Sequence, residues 1–212
     1  MSLTLYLLRH GQTPASRDDV FSGSIDPELT ADGLAMAEAF AAAYRSRPWA
    51  AVFASPMRRA VATAKPLCSA IGIDMQLRDG LKEINYGVWE GKPVKVISHD
   101  YHDDYLRWTA DPAWYPPTGG EAAITIATRA MQVVEEIKQR YPDGNVLVVS
   151  HKATIRIILC SLLGIDVGRF RYRLGCPTGS VSIVEFGGHG PLVKAVAERS
   201  HLDDRLRNLP GT

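Results

Sequence analysis

Two short apolar runs each end in a histidine: Leu5-Tyr6-Leu7-Leu8-Arg9-His10 near one end of the chain and Val146-Leu147-Val148-Val149-Ser150-His151 near the other. In a parallel sheet, ligands bind outside the carboxyl ends of the strands. A strand that stops in Arg-His, with the permissive Gly11 next, delivers a guanidinium and an imidazole to that rim. A second strand that stops in Ser-His brings another imidazole, and the set suits a dianion such as a phosphoryl group. Neutral imidazole is a competent nucleophile toward phosphorus when its other nitrogen is held by a hydrogen bond, which makes His10 the first candidate. The plain alternative for His10 and His151 alike is a strand-end histidine satisfied by a backbone partner. For His151 the helix expected just after it favours an anion at its start.

Arg9, closing an apolar strand, is costly unless paired, either with a structural carboxylate or with phosphoryl oxygens. Arg58 and Arg59 fall in the first turn of a helix expected to open at Ser55-Pro56. A cation there opposes the helix dipole unless an anion is near, so one of the two has a use and the other reads as solvated surface. Glu83 follows an expected strand and precedes Gly87 and Gly91; it is the candidate proton donor, with Glu90 and Glu121 as competing carboxylates. His99 and His102, beside Asp100, Asp103 and Asp104, lack a recognisable ligand spacing and read as a solvated face, so no metal is expected. The chain has neither a Gly-x-x-x-x-Gly-Lys-Ser/Thr loop nor a Gly-x-Gly-x-x-Gly turn.

What must position these residues is an α/β fold. The 212 residues are 46% hydrophobic, enough for one domain with a substantial core. A net charge of +1, from 24 basic and 23 acidic residues, argues against a nucleic-acid binder. No apolar run reaches the ~18 residues that cross a bilayer. The start of the chain lacks a basic leader, and Cys68, Cys160 and Cys176 are odd in number without metal spacing, so a reducing, cytoplasmic location is expected.

Alternating patterns place strands at 3–8, 51–54, 75–77, 146–149, 181–186 and 192–198, with helices at 31–47, 56–71, 121–140 and 153–163. Residues 86–118 read as an insertion of short helices and loops. Its Trp89, Trp108, Trp114 and Tyr115 either stack on a sugar or base or pack the insertion onto the sheet. Arg169, Arg171 and Arg173 alternate as in a strand, which would put all three on one face, either as a site for a second acidic group or a partner or, by default, as ordinary surface charge. The tail from Asp203 to Thr212 reads as polar and loose.

Arg9-His10-Gly11-Gln12-Thr13 together with Ser150-His151 resembles the histidine phosphatase superfamily, the phosphoglycerate mutase-like group. Further segments match in order: Phe21-Ser22-Gly23 with Asp26-Pro27-Glu28-Leu29-Thr30, then Ser55-Pro56-Met57-Arg58-Arg59-Ala60, then Leu81-Lys82-Glu83-Ile84 with Tyr86-Gly87, and Gly119-Gly120-Glu121. The resemblance covers most of residues 3–186. It implies a single domain over 1–212, three-layer α/β/α with a mostly parallel sheet. It implies catalysis without metal or organic cofactor: His10 becomes phosphorylated, Arg9, Arg58 and His151 hold the phosphoryl oxygens, and Glu83 protonates the leaving group. By this alignment Arg58 is selected over Arg59. Gln12, Thr13, Ser16, Ser22, Gly23 and Lys152 join Arg9, Arg58 and His151 as candidate contacts to a small phosphorylated substrate, and dimers are common among relatives.

Three departures matter. Ala15-Ser16 stands where many relatives have Trp-Asn, so Ser16 or Arg17 takes over that contact or it is absent. Lys152 stands where many have Gly, and either lines the pocket in favour of a more acidic substrate or points to solvent. Ala122 follows Glu121 where relatives often have Ser. The same fold hosts phosphoglycerate mutases, which need extra cations in the insertion; here residues 84–108 offer Lys92, Lys95 and Arg107 against Glu90, Asp100, Asp103 and Asp104, so a phosphatase is favoured. A catalytically silent binding or scaffolding protein is the alternative of another class, but would be signalled by loss of Arg9, His10 or His151, and all are present.

Overall fold

A computed structural model of the protein describes residues 2–211. Its strands are β1 (Leu3–Arg9), β2 (Trp49–Ala54), β3 (Met75–Leu77), β4 (Gly144–Ser150), β5 (Val181–Gly187) and β6 (Gly190–Glu198), in one mixed sheet of order β3-β2-β4-β1-β5-β6. The first four run parallel; β5 and β6 form an antiparallel hairpin on the β1 edge. The helices are α1 (Pro14–Arg17), α2 (Ala31–Tyr44), α3 (Arg58–Ile71), α4 (Val94–Asp100), α5 (His102–Ala110), α6 (Ala123–Arg140), α7 (Lys152–Leu163), α8 (Phe170–Arg173) and α9 (Asp204–Arg207).

Strand alternation builds the layers. Leu3, Leu5 and Leu7 join Phe53, Val146 and Val148 on one face, against Val134 and Ile137 of α6 and Ile155, Ile158 and Leu159 of α7. Tyr6 and Leu8 join Val52, Ala54, Leu147 and Val149 on the other, against Phe40 and Tyr44 of α2 and Ala60, Ala64 and Leu67 of α3. Each of the valine, leucine, isoleucine and phenylalanine side chains contributes roughly 1.5–3 kcal/mol by leaving water. The helix after β1 covers one face and the helix after β4 the opposite face, although the two strands are neighbours. The crossovers diverge there, and the diverging chain opens a crevice at the carboxyl ends of β1 and β4.

Four sequence expectations need correction. α3 begins at Arg58, not Pro56; its N-cap is Met57, with no side-chain cap, because the Ser55 hydroxyl is engaged elsewhere. α2 stops at Tyr44 instead of Arg47. Residues 169–173 are a 3₁₀ turn followed by α8 and not a strand, so the three arginines diverge: Arg171 is half-buried while Arg169 and Arg173 are exposed. The tail, of which Thr212 lies outside the described residues, is not loose over 203–211. It forms α9, whose Leu206 packs with Met36 and Leu202. Trp89 and Trp108 pack edge to face, ring centres 5.3 Å apart, in a buried cluster with Phe21, whereas Trp114 and Tyr115 are exposed.

Candidate active site

β1 and β4 end in register, Arg9 opposite Ser150, and the residues that follow inherit the alignment. The His10 amide donates to the Ser150 carbonyl at 3.0 Å, and the His10 and His151 rings stand 5.1 Å apart. His10 Nδ1 faces the Gly11 carbonyl oxygen at 2.8 Å. A carbonyl only accepts, so Nδ1 carries the proton and Nε2 keeps its lone pair. Gly11 is required here because a Cβ would sit 2.3 Å from the Gly33 carbonyl oxygen, where the turn packs on α2.

His151 is fixed in the other tautomer. Arg59 Nε–H donates to its Nδ1 at 3.2 Å, so its Nε2–H donates to Ser55 Oγ at 2.8 Å. Both imidazoles are held well below the ordinary histidine value, first by burial and next by the Arg59 charge, with Arg9 also acting on His10. Both rings are therefore neutral at physiological pH. This has a consequence for stability. The unfolded chain takes up these protons below about pH 6.5 while the folded chain refuses them, so stability is complete above that pH and is lost as pH falls toward the folded values. The unfolding free energy from urea titrations is expected to drop between pH 7.5 and 5.5, approaching about 1.4 kcal/mol per pH unit for each histidine. A flat profile over that range would contradict the neutral assignment.

Arg9 is buried, with Nη1 donating to the carbonyls of Cys176 (2.6 Å) and Gly211 (2.8 Å). Its Nε is buried with no partner among the described residues, a donor in want of an acceptor. Neither a structural carboxylate nor the sequence pattern explains that placement; the tail supplies the carbonyl that aims the side chain.

The helix-start arginine in the site is Arg59. Its side chain is 1% exposed, and its Nη1 and Nη2 donate to the carbonyls of Ile25 (2.9 Å) and Gly23 (3.1 Å). Arg58, the residue the alignment selected, is 65% exposed and turned away, paired with Glu28 at 3.0 Å and Asp26 at 3.8 Å. The reason is helical phase. Arg59, Thr63 and Leu67 share the buried face of α3, and Arg58 lies a hundred degrees round from it.

Glu83 is buried, and its carboxyl oxygens accept from the amides of Ile84 (3.0 Å), Ala153 (3.1 Å) and Thr154 (3.2 Å), the last two opening α7. Of the three candidate carboxylates it alone borders the cavity that holds His10. Glu90 instead anchors the loop before α2, accepting from the amides of Gly23, Ser24 and Ile25, and Glu121 pairs with Arg129 at 3.1 Å.

That cavity measures about 360 Å³ and is bordered by Arg9, His10, Thr13, Arg59 and Glu83. Ser16, Ser22 and Lys152 also border it. Ser16 is tied into a capping box with Thr13 at the start of α1, its Oγ accepting from the Thr13 amide at 2.9 Å. Besides Arg58, three expected contacts fall outside the lining: His151, fully buried beside His10 with its nitrogens bonded to Arg59 and Ser55, and Gln12 and Gly23. Gln12 turns away, its amide donating to the Pro210 carbonyl at 2.8 Å and its oxygen accepting from Thr30. Gly23 is pressed against Ile84, where a Cβ would meet the carbonyl oxygen at 1.7 Å, so its role is close packing. His99 and His102 are exposed, and no group of three metal-binding side chains converges among the described residues. Of three further arginines on the cavity wall, sequence reasoning set Arg59 aside for Arg58, did not single out Arg156, and put Arg171 on a strand face. Periodicity on the helices would have found the first two: Arg59 repeats with Thr63, and Arg156 lies one turn beyond Lys152.

A three-layer α/β/α fold whose parallel strand ends gather two neutral imidazoles, buried guanidiniums and a carboxyl group defines a phosphoglycerate mutase-like phosphohydrolase. Comparison with known proteins agrees: residues 5–199 match the histidine phosphatase superfamily (branch 1), and the chain belongs to that family as a phosphoric monoester hydrolase. It is 29% identical over 180 residues to phosphoserine phosphatase 1 of Hydrogenobacter thermophilus, covering 85% of each chain. It is 30% identical over 193 residues to glucosyl-3-phosphoglycerate phosphatase of Mycobacterium tuberculosis, covering 87% of this chain and 85% of that one. The solved structure of Bacillus stearothermophilus YhfR superposes with a TM-score of 0.88 at 26% identity, over 95% of this chain and all of that one, 100%.

Proposed function

We propose that the protein is a metal-independent phosphomonoesterase that cleaves a small phosphorylated metabolite through a phosphohistidine on His10. The observation that carries this is a neutral imidazole with its Nε2 lone pair free, in a cavity walled by Arg9 and Arg59. Nε2 attacks phosphorus in line and the bond to the leaving oxygen breaks. Glu83 supplies that oxygen with a proton. The resulting carboxylate then takes a proton from water, which cleaves the phosphorus–nitrogen bond and releases phosphate. Arg9 and Arg59 stabilise the charge on the phosphoryl oxygens, and His151 joins them when its Nε2–H turns from Ser55 to a phosphoryl oxygen. Arg59 thus takes the role that the sequence resemblance gave to Arg58.

The substrates named for the two relatives are both small phosphorylated metabolites, which supports the substrate class. Hydrolysis is favoured over mutase chemistry because Lys92, Lys95 and Arg107 of the insertion do not border the cavity. No helix among the described residues is long and apolar enough to cross a membrane. The buried unpaired thiols of Cys68, Cys160 and Cys176 support a reducing, cytoplasmic location, and the homodimer common among relatives is read by sedimentation velocity.

The test is to mix the protein, without added metal, with a panel of phosphorylated metabolites that includes 3-phosphoglycerate and 2,3-bisphosphoglycerate, then quench in alkali and digest. Phosphate release is expected together with an acid-labile, alkali-stable phosphoryl group on the His10 peptide. Interconversion of 3- and 2-phosphoglycerate without net release would make the protein a mutase, and turnover with no adduct on His10 would remove the phosphohistidine.

A further inference from the structure

Beyond His10 the cavity wall carries a second group of cations that the phosphoryl chemistry leaves idle. Lys152 and Arg156 stand one turn apart on α7 and share a face. Arg171 comes from α8, its guanidinium 3.9 Å from the centre of the Trp108 ring. All three border the same cavity as Arg9 and His10, and all are half-buried. Among the described residues none of the three has a carboxylate within ion-pair distance. The acidic groups on the wall are Glu83, bonded to the start of α7, and Asp19, on the turn after α1.

Arg156 Nε is buried with no partner, as Arg9 Nε is. Solvated surface cations need no partner, but cations drawn into a cavity wall lose hydration that only an anion restores. Burial, with Arg9 and Arg156 nearby, pulls the Lys152 ammonium down to about 8, the behaviour of a cation crowded by its own kind. The Trp108 ring holds the Arg171 guanidinium in place without neutralising it.

We propose that Lys152, Arg156 and Arg171 form a second anion subsite, which selects phosphomonoesters carrying a further carboxylate or phosphate beside the phosphoryl group that is cleaved. This rests on the phosphatase reading above and narrows its substrate class. A cavity of about 360 Å³ holds a small phosphomonoester bearing a second anionic group, with both charged ends engaged.

The test compares kcat/KM for 3-phosphoglycerate with that for glycerol 3-phosphate, which has the same carbon skeleton without the carboxylate, and for 2,3-bisphosphoglycerate, which adds a second phosphoryl group. The wild-type protein is expected to prefer the esters with a second anionic group by about tenfold or more, as a charged hydrogen-bonding group warrants. Lys152→Gln and Arg156→Gln are each expected to cut that preference about tenfold, chiefly through KM, and Arg171→Lys to cut it less. Whichever of the carboxylate and phosphate arms shows the larger preference names the second group. Equal rates on all three esters, or variants that slow all three alike, would overturn the subsite while leaving the phosphatase in place. If none of the three, nor 4-nitrophenyl phosphate, is hydrolysed in a His10-dependent way, the phosphatase reading itself falls.

Discussion

Alanine in place of His10 is expected to lower phosphate release by about ten-thousand-fold or more, the scale on which enzymes lose activity with their nucleophile. Nothing nearby can take over. His151 has its Nδ1 lone pair occupied by Arg59 and its other nitrogen protonated toward Ser55, and the three buried thiols are held up by desolvation. The substitution removes one hydrogen bond, to the Gly11 carbonyl, and the ring that packs beside His151, and leaves Arg9 Nε and Arg59 where they are. Inorganic phosphate should therefore still raise the melting temperature of the variant while phosphoryl labelling vanishes. The pH sensitivity of stability should also shrink, because one of the two buried neutral imidazoles is gone. Activity within tenfold of wild type would mean that water attacks phosphorus directly and that His10 only lines the cavity.

The strands and the two histidines are legible in the sequence because a short apolar run has few other uses, and because the polar residue that ends it stands at a sheet rim. Glu83 needed the family resemblance, since one glutamate after a short strand has no periodicity to mark it. Arg59 was open to reading but was passed over: motif spacing chose its neighbour, while the burial phase of Thr63, Ala64 and Leu67 points to Arg59. The tail was hidden for a different reason. Its contacts with the site run through the carbonyls of Pro210 and Gly211, and a backbone acceptor leaves no trace in residue type. Arg171 was misplaced because alternation over five residues cannot tell a strand from a turn that winds back on itself.

The second large effect separates the two neighbouring arginines. Arg58→Ala should leave kcat/KM within about threefold and stability within about 1 kcal/mol, since its ion pairs with Asp26 and Glu28 sit in water. Arg59→Gln should cost about a thousandfold, comparable to removing a charge-stabilising donor from a transition state, and Arg59→Lys about a hundredfold because an ammonium keeps the charge without the fork. Part of that loss could come through the loop whose carbonyls Arg59 holds, so rate alone does not assign the role. The pH profile does. Next after burial, the Arg59 charge is what depresses both imidazoles, so its removal lets His10 hold its proton to higher pH. The acid limb of kcat/KM should then move upward in pH for Arg59→Gln, less for Arg59→Lys, and not at all for Arg58→Ala. A loosened loop alone would lower the plateau without moving the limb. A larger loss at Arg58 than at Arg59 would return the phosphoryl-binding role to the residue the motif first selected.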